Sequence, residues 1–374
     1  VTRSAFTAAR RYIIKVGSAL VQAGPEPLSR IAADIAALVK AGKHVALVSS
    51  GAVALGRPRL GLSATQLTLE QKQAAAAAGQ PVLVEAWEKA FAQHDLHTAQ
   101  ALLTLDVTET RRRWLNARGT LMTLLECGVI PVVNENDTVA TDELRYGDND
   151  RLAARVAQLI SADVLVLLSD VDGLYEQDPR SHPDANLVRE VNSIDAGITA
   201  MAGEAGSSVG TGGMQTKLLA AEMASAAGCA TVVALGTATA PISRLAHPDC
   251  GTWFHPAVSS TKAREIWISG ASPDGALHID AGAARALLSG KSLLPVGVVD
   301  VSGSFERGDT IRIVDQGGVT IARGVSAYDA ADARRIQGCK STDIEAILGF
   351  RRAANLVHAD DLVLARTANA GVAS

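Results

Sequence analysis

Arg11-Tyr12-Ile13-Ile14-Lys15-Val16-Gly17-Ser18 is a short apolar run with one lysine near its end and a glycine-serine turn behind it. A run of this length bounded by small residues reads as a strand buried on both faces, the kind that parallel sheets use. It places Lys15 at the strand's C-terminal end, where open α/β sheets gather their ligands. The unit then repeats. Residues 28–41 have helical periodicity and stop at Gly42, and 44–48 form a second buried run that delivers Ser49-Ser50-Gly51-Ala52. Residues 67–91 read as a helix interrupted at Gly79-Gln80-Pro81, 99–105 as a third strand and 111–127 as a helix. A fourth strand at 129–133 leads into Asn134-Glu135-Asn136-Asp137, residues 139–146 look like a hairpin or lid, and Gly147-Asp148-Asn149-Asp150 precedes a helix over 151–160. Strands at 164–168, ending in Ser169-Asp170, and at 232–235 complete the set. Alternating strands and helices predict an α/β fold with a mainly parallel sheet covered on both faces.

The pattern loosens near Trp253-Phe254-His255-Pro256 and changes character from Gly275 onward. A strand and helix over 278–289 are followed by short strands at 296–301, 310–314 and 319–325, with Arg307-Gly308-Asp309 and Gln316-Gly317-Gly318 between them. Short strands with hairpin turns predict a small β-barrel.

The 374 residues suffice for two domains, and 48% hydrophobic with 20% charged is ordinary for a globular protein. A net charge of -4 excludes a global basic footprint for nucleic acid or anionic membrane, so any anion site is local. The Tyr12-Ile13-Ile14 run behind Arg10 and Arg11 is broken by Lys15, too short for a signal segment, and no apolar run reaches membrane-spanning length. Cys127, Cys229, Cys250 and Cys339 form no C-x-x-C pair, which argues for buried free thiols in a reducing cytoplasm. Nine lysines stand against 26 arginines, and none lies between Lys89 and Lys217, so a lysine among glycines is informative here.

Gly210-Thr211-Gly212-Gly213-Met214-Gln215-Thr216-Lys217 joins a glycine-rich loop to a helix over 217–227. It fails the P-loop pattern, because Thr216 precedes the lysine and Leu218 follows it. By itself it reads equally as a phosphate cradle or as a flexible turn before a helix. Lys15 and Lys217 together could hold a transferring phosphoryl group, a reaction that depends on positioning and charge stabilisation. Two ammoniums about 6 Å apart repel by roughly 3 kcal/mol at an effective dielectric of about 20, so an anion between them is required, and Asp150 is the candidate. The Ser49-Ser50-Gly51-Ala52 turn suits a carboxylate or phosphate, or serves only as a helix cap. The acids and amides of Asn134-Glu135-Asn136-Asp137 and Gly147-Asp148-Asn149-Asp150 suit an ammonium. Neither tetrad has a calcium-loop length and no histidine accompanies them, so no protein metal site is expected.

Taken together, Lys15-Val16-Gly17-Ser18, Ser49-Ser50-Gly51-Ala52, Val133-Asn134-Glu135-Asn136-Asp137, Gly147-Asp148-Asn149-Asp150, Ser169-Asp170 with Gly173-Leu174-Tyr175, and Gly210 through Lys217 resemble the amino-acid kinase family, in particular its members that phosphorylate the γ-carboxylate of glutamate. Gly290-Lys291-Ser292-Leu293-Leu294-Pro295 and Phe305-Glu306-Arg307-Gly308-Asp309 resemble the PUA domain that many such members carry. Small departures are Ser49 and Ser169, where threonine is frequent, and Gln215, where serine is. The resemblance implies an αβα sandwich kinase domain over 1–258, a linker over 259–274, a β-barrel-like PUA domain over 275–356 and a tail over 357–374. It implies ATP-dependent conversion of L-glutamate to L-glutamyl 5-phosphate, opening proline biosynthesis, with Mg2+ carried mainly by the nucleotide phosphates.

Carried over by position, the resemblance makes Lys15, Lys217 and Asp150 catalytic and gives Ser50, Gly51, Asp137, Asp148 and Asn149 to the amino acid. ATP would lie on Lys15, Ser169, Asp170, Thr211, Gly212, Gly213, Met214, Gln215, Thr216 and Lys217. It further implies a cytoplasmic homo-oligomer, dimer or tetramer, inhibited by proline and handing its product to glutamyl phosphate reductase. Residue chemistry favours a free α-ammonium over an N-acylated acceptor, since an acid-rich pocket rewards positive charge. Residues 273–352 hold ten Lys/Arg and ten Asp/Glu, a neutral balance that argues against RNA as a partner.

Overall fold

The computed structural model describes residues 6–64, 66–104, 111–139, 148–179, 181–203, 213–247 and 249–365. They divide into two compact units between Thr261 and Lys262. The first unit carries β1 Arg11–Val16, β2 His44–Ser49, β3 Thr98–Leu103, β4 Ile130–Glu135, β5 Val164–Ser169, β6 Leu174–Tyr175, β7 Leu187–Val188, β8 Glu190–Val191, β9 Ala230–Leu235 and β10 Thr252–Phe254. Eight of these described strands form one sheet in the order β3-β4-β2-β1-β5-β9-β10-β8, parallel except where β10 runs against β9. The chain builds β2 to β4 on one side of β1 and then crosses to β5 on the other. Such a reversal of strand order is where open α/β sheets form a ligand crevice, at the C-terminal ends of the strands.

The helices of this unit are α1 Ser18–Gln22, α2 Pro25–Lys40, α3 Ala52–Arg59, α4 Leu69–Ala92, α5 Arg111–Glu126, α6 Asp148–Ile160, α7 Ala196–Met201 and α8 Met214–Ala226. Successive strand side chains point to opposite faces. Tyr12, Ile14 and Val16 enter one core with Ile31 and Ile35 of α2 and Trp87 of α4. Ile13 enters the other, with Leu152 and Val156 of α6 and Leu218 and Ala221 of α8. Lys15 shares the parity of Ile13, so the phase of β1 aims it at α6 and α8.

Several sequence expectations change. Gly79-Gln80-Pro81 does not interrupt α4, which opens on a Thr68/Gln71 capping box and runs through Pro81. The reason is packing. A Cβ on Gly79 would lie 1.9 Å from the Ala52 carbonyl oxygen, and one on Gly56 would lie 1.8 Å from that of Ala75. The backbones of α3 and α4 therefore touch, and this contact holds α4 across the hydrogen bond that Pro81 cannot make. The helix expected from Arg151 starts at Asp148, and the one expected from Lys217 starts at Met214, so each draws polar residues into its first turn. Trp253 and Phe254, in the stretch where periodicity fails, are buried in β10, a three-residue strand too short to show a period. Of the expected hairpin or lid, Val139 closes a 3₁₀ turn, Asp137–Val139, and 140–146 lie outside the described residues. Only Cys229 of the four free thiols is buried.

Residues 259–274, read as a linker, contain the helix α9 Ser260–Gly270. The second unit continues with β11 Gly275–Ile279, α10 Ala281–Leu288, β12 Val298–Gly303, β13 Thr310–Val314, β14 Thr320–Val325, α11 Ala330–Ile336, α12 Ile344–Leu348 and β15 Leu362–Leu364. Its described sheet runs β12-β11-β13-β14-β15 around a core that includes Leu277, Ile313 and Tyr328. The turn at Gln316-Gly317-Gly318 makes the expected hairpin. Arg307-Gly308-Asp309 does not, because β11 lies between β12 and β13. The tail supplies β15, paired with β14.

The α3–α4 contact makes a clear prediction. Gly79→Ala should lower the thermal midpoint of the full chain, costing at least the about 1–3 kcal/mol typical of overpacking. Gly119→Ala, on an exposed helical position with open space around it, should instead stabilise slightly, as restricting the unfolded chain does.

Candidate active site

At the C-terminal ends of the central strands, Lys15 from β1, Asp150 from the first turn of α6 and Lys217 from the start of α8 meet. Lys15 Nζ stands 2.5 Å from Asp150 Oδ1 and Lys217 Nζ 3.4 Å from Oδ2. The Thr216 hydroxyl donates to the same Oδ2 at 2.9 Å. Exposure is 1% for Asp150, 5% for Lys217 and 7% for Lys15. One carboxylate between two ammoniums leaves a buried cluster of net charge +1, which is complementary to an anionic group.

The protonation tendencies follow from this arrangement. Burial alone would push the Asp150 carboxyl up, but the Lys15 and Lys217 charges, with hydrogen bonds from Lys15 and Thr216, outweigh it and hold it below the ordinary carboxylate value. For Lys217, burial is the largest influence and lowers it, Asp150 opposes, Lys15 lowers it further, and the net direction is down. The partners differ because the carboxylate faces two cations, whereas Lys217 faces one carboxylate and another cation. The Asp170 charge also acts on Lys217 in the raising direction.

Backbone donors gather at the same strand ends. Helices α1, α3 and α8 start behind glycine N-caps, Gly17, Gly51 and Gly213, without a side-chain cap, whereas Thr68 and Asp195 cap α4 and α7. Uncapped first-turn N–H groups with the helix dipole behind them favour phosphate or carboxylate. Gly51 is required twice over: its φ is +118°, and a Cβ would lie 3.0 Å from Val21 Cγ1.

A second arrangement leads away from the charged cluster. Asn149 Nδ2 donates to Ser50 Oγ at 2.6 Å and to Asn134 Oδ1 at 3.2 Å, and Asn134 Nδ2 donates to Gln80 Oε1 at 2.9 Å. Trp87 Nε1 donates to Ser49 Oγ at 2.9 Å, and that hydroxyl donates to the Ser50 carbonyl at 3.1 Å, fixing the turn. Gln80 also lines a cavity of about 210 Å³ together with Gln100, Glu135, Asn136, Asp137 and Thr138.

The structure thus brings Lys15, Asp150, Thr216 and Lys217 into one cluster and joins Ser50 to Asn149. Asp137 borders the cavity, Gly51 caps α3, and Asp148 is the first residue of α6. The Ser169 hydroxyl donates to Asp170 at 3.0 Å. Gly213, Met214 and Gln215 open α8, with the Gln215 amide donating to the Gly203 carbonyl. Thr211 and Gly212 lie outside the described residues. Sequence reasoning missed Gln80 and Trp87. A glutamine in an alanine-rich buried helix was the available signal for the first, hidden by reading its neighbours as a break. Among the described residues, no three His, Cys, Asp or Glu side chains gather to hold a metal ion.

The amino acid kinase family model matches residues 10–234, and the PUA domain model matches 275–348. A glutamate 5-kinase of Caulobacter vibrioides (strain NA1000 / CB15N) is 54% identical over 373 residues, covering 97% of this chain and 99% of the relative. One from Paramagnetospirillum magneticum is 53% identical over 96% of this chain and 99% of its own. Among solved structures, a carbamate kinase from Giardia lamblia bound to AMP-PNP aligns with a TM-score of 0.48 and 17% identity, over 67% of this chain and 99% of that one.

Because its folded value is depressed, Asp150 contributes its full stability above the ordinary carboxylate value and loses it as pH falls through the lower, folded one. Asp150→Asn should therefore destabilise the full chain by about 3–5 kcal/mol at pH 7, leaving two buried ammoniums uncompensated. Urea unfolding of both proteins at descending pH should show that gap closing only below the ordinary carboxylate range. A gap independent of pH would rule out the ionised carboxylate as its source.

Proposed function

The chain belongs to the amino acid kinase family, and from that premise we propose that it transfers the γ-phosphoryl group of ATP to the γ-carboxylate of L-glutamate, forming L-glutamyl 5-phosphate, the first step of proline biosynthesis. The observation that carries this reading is the buried Lys15–Asp150–Lys217 cluster with its net positive charge. In such a transfer a bond forms between a γ-carboxylate oxygen and phosphorus while the bond to the departing diphosphate oxygen breaks, and negative charge is spread over the oxygens between. Lys15 and Lys217 stabilise that charge from a preorganised, dehydrated position, so little reorganisation is needed as it develops. Asp150 sets the separation of the two ammoniums and opposes the lowering that burial imposes on Lys217. The uncapped N-termini of α1, α3 and α8 supply backbone donors for phosphate and carboxylate oxygens.

ATP fits the donor set: glycine N-caps, two ammoniums, and the Ser169–Asp170 pair at the end of β5. Mg2+ would be held mainly by nucleotide phosphates, neutralising their charge. The amino acid lies toward Ser50, Asn149 and the cavity bordered by Asp137. An acyl phosphate of glutamate can cyclise by attack of its own α-amine, a reaction that intramolecular proximity makes fast. Asp137 counters this by keeping the ammonium protonated and turned away. The same reading includes inhibition by proline, a cytoplasmic homo-oligomer and delivery of the product to a reductase. No helix among the described residues is long and apolar enough to cross a membrane.

The direct test is ATP consumption and hydroxamate trapping with L-glutamate, aspartate and N-acetylglutamate, with and without proline. Only L-glutamate is expected to support turnover. Lys15→Met and Lys217→Met should each lower kcat by roughly 100- to 1,000-fold or more, as loss of a transition-state donor does. Full activity in either variant removes the mechanism. Asp137→Ala should raise the KM for glutamate and increase 5-oxoproline release, and a variant unchanged in both would remove the role given to Asp137.

A further inference from the structure

We propose that Gln80 is a specificity-determining residue that binds substrate directly, its side-chain amide donating to the α-carboxylate of the amino acid. The inference rests on the glutamate reading above and adds to it a residue from the middle of α4. Gln80 is only 8% exposed, and its Oε1 is occupied by Asn134. Its Nε2 is buried with no hydrogen-bond partner among the described residues, and so is Asn149 Oδ1. Buried polar atoms without partners are uncommon and costly, so two of them on one hydrogen-bonded chain call for a shared explanation.

The polarity of the chain supplies it. Asn149 Nδ2 donates to both Ser50 Oγ and Asn134 Oδ1, which turns Asn149 Oδ1 away from both. Asn134 Oδ1 is then an acceptor, so Asn134 Nδ2 faces Gln80 Oε1, and the Gln80 NH₂ is left at the chain's end. One end offers donors and the other an acceptor. An α-amino acid carries an α-carboxylate that needs donors beside an α-ammonium that needs acceptors, so the two ends match its two α-substituents. Gln80 lines the cavity of about 210 Å³, below the roughly 300–1,000 Å³ of drug-sized ligand sites and suited to a small metabolite. It is separated from Asp150 by Asn134 and Asn149, which assigns it to the α-end of the substrate while the γ-carboxylate meets the lysines.

The test uses the full chain, ATP, and two acceptors: L-glutamate and isoglutamine, which carries a neutral amide in place of the α-carboxylate. Gln80→Met keeps volume and removes the donor. It should raise the KM for L-glutamate about tenfold or more, as loss of a hydrogen bond to a charged group does, with kcat and the KM for ATP nearly unchanged. Its kinetics with isoglutamine should change little, so the preference for glutamate over isoglutamine should shrink. Gln80→Glu, nearly isosteric, should raise the glutamate KM further by repulsion and accept isoglutamine better than glutamate, so the inference remains testable if Gln80→Met folds poorly. Equal losses with both acceptors would overturn the inference, since a role confined to positioning Asn134 does not distinguish them. Absence of any L-glutamate-dependent turnover in the unmodified chain would overturn the glutamate reading itself, a different failure.

Discussion

A carboxylate at 1% exposure stays ionised only if cations share its burial, and Asp150 recruits two of them from separate parts of the chain. That requirement ties β1, α6 and α8 together more specifically than their apolar contacts do. Apolar packing of Ile13, Val156 and Leu218 tolerates small shifts, but an ion pair at 2.5 Å does not. The electrostatics also run in the other direction. Asp150 is satisfied twice, whereas Lys217 is held low by burial and by Lys15, so the cluster as a whole favours additional negative charge. The same three residues therefore both fix the geometry where β1, α6 and α8 meet and leave it complementary to an anionic group.

Strand parity then separates two tasks. On β1 the alternation sends Lys15 to the face of α6 and α8. On β2 it sends Ser49 to the opposite face with Val45 and Leu47, where Trp87 of α4 donates to it. Asn134 follows Ile130 and Val132 on β4 and reaches Gln80 of α4 on that same face. The buried charges thus lie in one layer and the amide network in the other. They join at Asn149 and Asp150, neighbours in the first turn of α6, of which one turns to Ser50 and the other to the lysines.

Much of this was legible in the sequence because buried parallel strands and the polar turns behind them leave strong local signals. The strands β1, β2, β4, β5 and β9 and the Lys15–Asp150–Lys217 grouping could all be read there. Features whose cause is non-local could not. Gly79 and Pro81 carry the local signature of a helix break, and only the approach of α3 shows that Gly79 serves contact instead. β10 and β8 are three and two residues long, below any periodicity, and exist through pairing with partners distant in sequence. Gln80 escaped notice because its significance is a hydrogen bond to a residue 54 positions away.

The departure from the P-loop pattern also has a structural explanation. In that pattern the lysine must follow glycine closely because the loop itself wraps the phosphates. Here α8 begins at Met214, so Lys217 lies a full turn inside the helix. Helical side chains lean back toward the N-terminus, which returns the Lys217 ammonium toward the level of the first-turn N–H groups. Thr216, between them, has its hydroxyl within hydrogen-bond distance of both Asp150 Oδ2 and the Gly213 carbonyl, and its single proton serves one acceptor at a time, anchoring that turn. Backbone donors and ammonium then share the first turn of α8, and the residue after the lysine is free to be Leu218, which goes into the core instead.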